Sequence, residues 1–184
     1  MAILSKVTGF WDSLSFVKNT KRMRSALMDY LTGEGVKCEV KDGGVLFCYE
    51  DHEYEASFVV EGDCAECVIS GGVANDTCEA LPAKEKAIVA DIANGRCGYN
   101  TKVCTFDECI AVTNCFCFTS RRMMLQLFVK HLEQLDSSLH LVEHIVDKMA
   151  GQCNSPAAPR RQIGFIVQGE DSEGGKLKIS AQNN

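Results

Sequence analysis

Residues 36–58 read VKCEVKDGGVLFCYEDHEYEASF, and this stretch decides the fold because apolar and polar residues alternate through it. Such alternation is typical of a strand with one buried and one exposed face. Asp42-Gly43 is a strong short-range signal for a two-residue hairpin turn. The runs over residues 36–40 and 45–49 are therefore predicted to form an antiparallel hairpin.

A second turn, predicted at Asp51-His52, adds a third strand and pairs Phe47 with Ala56. The apolar side chains then share one face, which comprises Cys38, Val40, Val45, Phe47, Tyr49, Tyr54, Ala56 and Phe58. A slip by one residue would turn every side chain of a strand to the opposite face, so the facing of such a sheet is strongly specified. The stretch predicts an antiparallel meander with one buried face.

Further elements flank the meander on both sides. Thr20 caps a predicted helix that ends near Leu31. Downstream, the pattern predicts a strand over residues 67–70, a loop over 71–80, a helix over 82–94, strands over 102–106 and 109–118, a helix that ends near residue 135, and a further helix after Asp136-Ser137-Ser138. The order of elements, α-β-β-β-β-α-β-β-α, predicts an α+β fold with helices packed on one face of a curved antiparallel sheet.

The chain is predicted to divide into three parts. Its 184 residues suit one domain with appendages, and we assign residues 20–150 to that domain. Residues 1–19 have helical spacing of apolar residues and are predicted to form an amphipathic N-terminal helix. Residues 151–184 are rich in Gly, Pro, Ser, Gln and Asn, which predicts a flexible tail or a loosely attached hairpin.

Composition argues against several classes of function. The net charge is −6 and the pI is near 5.2, whereas a nucleic-acid-binding domain is expected to show a basic face. The first residues lack the basic segment of a secretory signal, and no stretch approaches the roughly 18 apolar residues of a membrane span. We therefore expect a cytoplasmic protein whose eleven cysteines are reduced and serve mostly as small buried apolar residues.

Two short motifs raise metal or redox chemistry. His140-Leu141-Val142-Glu143-His144 is an H-x-x-E-H string, in which two histidines four apart on a helix can share a metal. His140, Glu143, His144 and Asp147 also form the polar side of an amphipathic helix, and we favour that solvated face. Cys64-Ala65-Glu66-Cys67 is a C-x-x-C that leads into a strand, whereas a redox pair wants a helix N-terminus to lower its pKa. We assign no catalytic, metal-binding or cofactor-binding residue.

The second hairpin predicts a contact surface. A turn at Asp107-Glu108 places the bulkier residues of both strands toward the helices and leaves cysteines and small residues on the opposite face. Small apolar residues on an open sheet face favour contact with a partner; the alternative is that the sheet curls and this stripe is internal core. The predicted partner surface comprises Leu46, Cys48, Cys104, Cys109, Ala111, Thr113, Cys115 and Cys117.

The chain also resembles a known family. Residues 21–31, KRMRSALMDYL, with Glu34-Gly35 and the aromatic-rich meander, resemble the opening of the YbjN-like domain. Further along, this chain resembles the second half of the family's sequence at Ala90, Asn94, Thr101-Lys102-Val103 and the strand that ends at Phe118. The family is provisionally classed among sensory-transduction regulators. The resemblance covers residues 21–149 and implies the α+β fold of type III secretion chaperones, and it implies no catalytic residue.

Two functions remain open at this level. The first is a non-enzymatic protein-binding module, chaperone-like or regulatory, which we expect to form a homodimer or to take an extended peptide segment of a protein partner. The second is a metal- or thiol-redox-responsive protein that uses its cysteines. Thiol titration and metal analysis of freshly reduced protein separate them, since only the second expects a stoichiometric metal or strongly acidic thiols.

Overall fold

A computed structural model describes residues 15–153, in which one antiparallel sheet packs against helices. In chain order the elements are α1 (Thr20–Gly33), β1 (Cys38–Lys41), β2 (Gly44–Tyr49), β3 (His52–Glu61), β4 (Cys64–Val73), α2 (Asp76–Glu79), α3 (Ala83–Asn94), β5 (Thr101–Thr105), β6 (Ile110–Phe118) and α4 (Arg121–Cys153). The six strands lie in the order β1-β2-β3-β4-β6-β5. The predicted α+β class and element order are confirmed. β4 is longer than the strand predicted over residues 67–70, and it extends into the predicted loop over 71–80, which also contains the short helix α2.

The predictions for the ends of the chain fall largely outside the described residues. Residues 1–14 of the predicted N-terminal helix and residues 154–184 of the predicted tail are not described. Phe16 and Val17, at the end of the N-terminal segment, are helical and buried, and the Phe16 ring lies 6.5 Å from that of Phe118. Within residues 15–153, no helix is long and apolar enough to cross a membrane.

The β1–β2 hairpin has the predicted register, and the β2–β3 hairpin is shifted. Val40 pairs with Val45, and both turn residues, Asp42 and Gly43, have the positive φ that this turn type requires. In the next hairpin Phe47 pairs with Tyr54 rather than Ala56, so the predicted pairing is wrong by two residues. The turn lies at residues 50–51 instead of 51–52. A shift of two residues leaves every side chain on its own face, so the predicted facing survives. The predicted burial of Val40 is wrong, because it lies on the edge strand β1 and is 51% exposed.

The core lies between the inner face of the sheet and the helices. Phe47 stacks on Tyr54 with ring centroids 5.6 Å apart, and it meets Phe128 of α4 at 5.7 Å. Phe58 is half-buried and lies edge-on to Phe118. The second hairpin also behaves as predicted: Phe106 N–H donates to the Cys109 carbonyl, and the bulky residues of β6 face inward.

Helix α4 is continuous, and the predicted break at residues 136–138 is wrong. The hydroxyl of Ser137 donates to the Glu133 carbonyl at 2.9 Å, and that of Ser138 donates to the Gln134 carbonyl at 2.8 Å. Bonds of this kind, four residues back, let serine sit inside a helix. Leu135 and Leu139, one turn apart, are both fully buried, so packing on the sheet holds the helix through this point.

A short polar network is buried beneath the sheet. His131 Nδ1 donates a hydrogen bond to Asn114 Oδ1 at 2.7 Å, and Asn114 Nδ2 donates one to Thr101 Oγ1 at 2.9 Å. The His131 ring stacks on Phe116 with centroids 4.7 Å apart. Burial, assisted by the nearby charge of Lys130, lowers the pKa of His131. The folded protein therefore favours the neutral ring.

The buried histidine predicts a loss of stability in mild acid. The stabilisation that His131 supplies is present above its unfolded pKa of about 6.5 and is lost as pH falls toward the lower pKa of the folded state. This group alone contributes a slope of at most about 1.4 kcal/mol per pH unit. Denaturant unfolding between pH 5 and 7, about the range in which histidine titrates, measures it. A His131→Gln variant should have a shallower slope, and identical slopes would contradict the assignment.

Candidate functional site

The outer face of the sheet carries an open groove of about 570 Å³. Its lining spans β1 to β6, because Cys48 lies opposite Glu53 in the β2–β3 pair and Gly72 lies opposite Ala111 in the β4–β6 pair. The lining residues are Lys37, Cys38, Glu39, Leu46, Phe47, Cys48, Glu53, Tyr54, Glu55, Ser70, Gly71, Gly72, Cys109 and Ala111. The groove lies on the face opposite the one that packs on the helices.

Two glycines of β4 shape the sheet where the groove crosses it. On the inner side, a Cβ at Gly71 would lie 2.8 Å from Leu139 and 3.1 Å from the Tyr54 ring, so α4 packs directly on the strand backbone. On the outer side, a Cβ at Gly72 would meet its nearest atom, the Ile110 carbonyl oxygen, at 3.6 Å, which is an ordinary contact. The lack of a side chain at Gly72 thus leaves room in the groove that a larger residue would fill without strain.

The predicted partner surface is divided by the structure. Four of its residues line the groove, namely Leu46, Cys48, Cys109 and Ala111. The other four lie on the same sheet face outside the groove, namely Cys104, Thr113, Cys115 and Cys117. None of the eight is buried in this chain, so the described structure does not place the stripe in the core.

The rim of the groove is acidic. Glu39, Glu53 and Glu55 line it together with one basic residue, Lys37. Between them the floor is apolar or uncharged, with Leu46 as its largest aliphatic side chain. A groove of this kind favours a ligand that is apolar along its length and carries positive charge beside its apolar groups.

Burial disfavours the thiolate form of several of the described cysteines. All ten cysteines with described side chains are free. Burial raises the pKa of the Cys67 thiol, and burial together with the nearby Glu66 raises the pKa values of Cys115 and Cys117. Cys64 and Cys67 both lie in β4, three residues apart, so their side chains point to opposite faces of the sheet. At Cys67, Cys115 and Cys117 the raised pKa opposes thiolate formation, on which redox reactivity depends.

A second cluster joins the β2–β3 turn to helix α4. His52 Nε2 lies 3.0 Å from Glu143 Oε1, and His52 Nδ1 lies 3.3 Å from Asp136 Oδ1. His140 Nδ1 lies 3.2 Å from Glu143 Oε2, and the two imidazole centroids are 4.9 Å apart. Tyr54 donates its hydroxyl proton to Asp136 Oδ1 at 2.7 Å. The cluster is thus built from the sheet and from two successive turns of one helix.

The neighbouring carboxylates change the pKa values of His52 and Tyr54 in this cluster. Burial by itself lowers the pKa of His52, but hydrogen bonds and attraction to Glu143 and Asp136 outweigh it and raise the pKa overall. Burial and the hydrogen bond to Asp136 also raise the pKa of the Tyr54 hydroxyl well above its usual range. The two carboxylates are therefore held close to groups that carry a proton.

The sequence indicates two of the three histidine and glutamate residues of this cluster, His140 and Glu143. The H-x-x-E-H string indicates His140 and Glu143, but His144 is exposed and lies outside the cluster, and His52 takes its place. The prediction that these helix residues form a simple solvated face is therefore incomplete. His52, the first residue of β3, is 88 residues from His140, and nothing in the sequence around it indicates this contact.

Comparison with known proteins finds solved structures that resemble this chain in fold. No family model and no curated protein matches the chain. An uncharacterized protein from Methanothermobacter thermautotrophicus has a similar structure, with a TM-score of 0.50 and 12% identity over 68% of this chain and 97% of that one. YbjN from E. coli, provisionally described as a transcription regulator, matches with a TM-score of 0.41 and 11% identity over 67% and 92%.

YbjN is among the solved structures that this chain resembles, at low identity. The resemblance predicted from residues 21–149 is thereby confirmed as a likeness of fold, at low identity. At 11–12% identity such a likeness concerns the fold alone. The implied likeness to type III secretion chaperones stays a prediction.

Proposed function

We propose that this protein is a non-enzymatic protein-binding module, and that its groove takes an extended, basic segment of a protein partner. The observation that carries the proposal is the groove itself, with an apolar floor formed by residues such as Leu46 and Ala111 and a rim of three glutamates. Its volume of about 570 Å³ lies within the range of roughly 300–1,000 Å³ of ligand-binding pockets. A chaperone-like or a regulatory role in the cytoplasm would use the same surface.

An extended segment fits the position of the groove. Lys37, Cys38 and Glu39 line one end of it, and β1 is an edge strand of the sheet. Extended peptides commonly bind beside an exposed sheet edge, where main-chain hydrogen bonds supply affinity and alternate side chains enter pockets. In such a segment the apolar side chains would enter the groove, and the basic ones would meet the glutamates of the rim.

Charge favours a foreign segment over a second copy of the chain at this groove. In a two-fold symmetric dimer the same patch occurs on both subunits, so the rim glutamates of one would face those of the other. Like charges brought together at an interface oppose association, and the chain as a whole carries a net charge of −6. The expected homodimer therefore requires another surface.

A groove-filling variant tests the proposal. Gly72→Arg places a long side chain in the groove, at a position where a Cβ makes only ordinary contacts. We expect it to weaken binding of a fluorescent peptide of alternating Lys and Val at least about tenfold, or about 1.4 kcal/mol. Fluorescence anisotropy measures the affinity, and circular dichroism checks the fold. Binding to the wild type should weaken as salt rises, because the rim charges are exposed and screened.

Cys117→Arg is the matched control. Cys117 is exposed on the same sheet face and lies opposite Glu66, away from the groove lining, so this variant should bind the peptide like the wild type. A peptide of alternating Glu and Val should not bind. Equal loss of binding in both Arg variants would show that the whole outer face, rather than the groove, is the surface. A change of elution volume in Gly72→Arg with unchanged peptide affinity would show that the groove contacts a second copy.

A further inference from the structure

The cluster that joins the β2–β3 turn to α4 has the form of a metal site. His52 and His140 each direct a ring nitrogen toward a different oxygen of Glu143, at 3.0 and 3.2 Å. One ligand atom from each of these three residues lies within 4.8 Å of the other two. We propose that His52, His140 and Glu143 bind one divalent transition-metal ion of the Zn²⁺ class, with His52 Nε2, His140 Nδ1 and the Glu143 carboxylate as ligands.

Asp136 provides a carboxylate beside the ring nitrogens that would not bind the metal. Its Oδ1 lies 3.3 Å from Nδ1 of His52, and its Oδ2 lies 3.6 Å from Nε2 of His140. A proton on each of those nitrogens leaves the opposite nitrogen, the one near Glu143, free to bind a cation. Metal-binding histidines almost always donate their second N–H to such a partner, which fixes the tautomer and the ring orientation. This carboxylate thus orients the His52 imidazole, whereas Nε2 of His140 lies beyond hydrogen-bond distance of Asp136.

Asp136 is itself fixed in place. Tyr54, fully buried in the core, donates its hydroxyl proton to Asp136 Oδ1 at 2.7 Å. His52 is also constrained, since its side chain is only 11% exposed and its ring lies against that of Tyr54. The sheet side of the site is therefore preorganised before any ion binds.

The geometry requires only a small closure. A tetrahedral ion with bonds of about 2.0–2.1 Å holds its ligand atoms roughly 3.4 Å apart. The movement falls to His140, whose side chain is 56% exposed and can change rotamer at the helix surface. Three protein ligands leave a fourth position for water or for a group from a partner.

The donor set selects the kind of ion. Two imidazoles and one carboxylate suit Zn²⁺ and neighbouring first-row transition ions. Mg²⁺ and Ca²⁺ are held by oxygen ligands, often with several waters, and a histidine pair suits them poorly. None of the three ligands lines the groove, so this proposal stands or falls independently of the peptide-binding function.

Titration of the reduced, chelator-treated full chain with ZnCl₂ tests the proposal. We expect one equivalent to bind in calorimetry and to raise the melting temperature, because the ion binds the folded state. His52→Gln and His140→Gln should each lower the affinity at least about tenfold. Asp136→Asn should lower it about 10–100-fold through the orientation of the ligands. His140→Gln changes an exposed residue, so it tests the site even if His52→Gln perturbs folding.

His144→Gln is the matched control, because His144 is an exposed histidine on the same helix outside the cluster. It should bind zinc like the wild type. Co²⁺ in place of Zn²⁺ separates the site from the cysteines, since thiolate ligands give a near-ultraviolet charge-transfer band and imidazoles and carboxylates do not. That band at one equivalent, zinc binding that survives both histidine variants, or no shift in melting temperature at ~0.1 mM Zn²⁺ would each overturn the proposal.

Discussion

Phe47→Ala should destabilise the protein by about 3–5 kcal/mol, as large-to-small changes of buried aromatic residues do. Phe47 is 3% exposed and lies between Tyr54 of the neighbouring strand and Phe128 of α4, with ring centroids 5.6 and 5.7 Å away. Removing the ring opens a cavity at the contact between sheet and helix. Domains are commonly stable by only about 5–15 kcal/mol, so this variant should be marginal or unfolded.

Glu55→Ala is the control for this variant. Glu55 pairs with Leu46 on the outer face of the same hairpin, where its side chain is not part of the core. Surface substitutions of this kind usually change stability by less than about 0.5 kcal/mol. Denaturant unfolding of both variants measures the contrast. Similar losses in the two variants would mean that the faces of the meander are wrongly assigned.

The facing of the strands was predictable, but the exact pairing was not. Alternation along residues 36–58 specifies which side chains are buried, and any error of two residues preserves it. The second turn was predicted at Asp51-His52, which is not a strong turn signal, whereas the structure has it at Glu50-Asp51. In the structure Glu50 has a φ of +49°. A positive φ is uncommon for glutamate, so the sequence gives no indication of this turn.

The groove and the metal cluster were predictable only in part, for the same physical reason. Leu46, Cys48, Cys109 and Ala111 were placed on one outer face by strand periodicity, but their assembly into a groove depends on strands β3 and β4 lying between them. Helical spacing brings His140 and Glu143 together, while His52 joins them through tertiary packing. The periodicity of apolar residues indicates which side of a helix or strand a side chain occupies. Which residues of distant elements come into contact depends on how those elements pack against each other.

The predicted break in α4 shows how local propensity is overridden. Asp136-Ser137-Ser138 is a frequent helix-ending composition, because short polar side chains compete for backbone hydrogen bonds. Here the serines bond back to the preceding turn, and Asp136 accepts the Tyr54 hydroxyl. The unbroken helix carries Asp136, His140 and Glu143 on successive turns, facing His52. The functional cluster thus depends on the feature that the sequence pattern mispredicted.

Ser137→Pro should therefore cost about 3 kcal/mol or more and lower the melting temperature by roughly 10 °C. Proline at this interior position removes a main-chain hydrogen bond of α4 and its ring meets the carbonyl of Glu133. Ser137→Ala is the matched control. Ser137 is exposed and alanine favours helices, so this variant should be as stable as the wild type or slightly more stable. Thermal unfolding by circular dichroism compares the two. If Ser137→Pro has the same melting temperature as Ser137→Ala, the chain tolerates a break at this point. Two separate helices, rather than one, would then pack on the sheet.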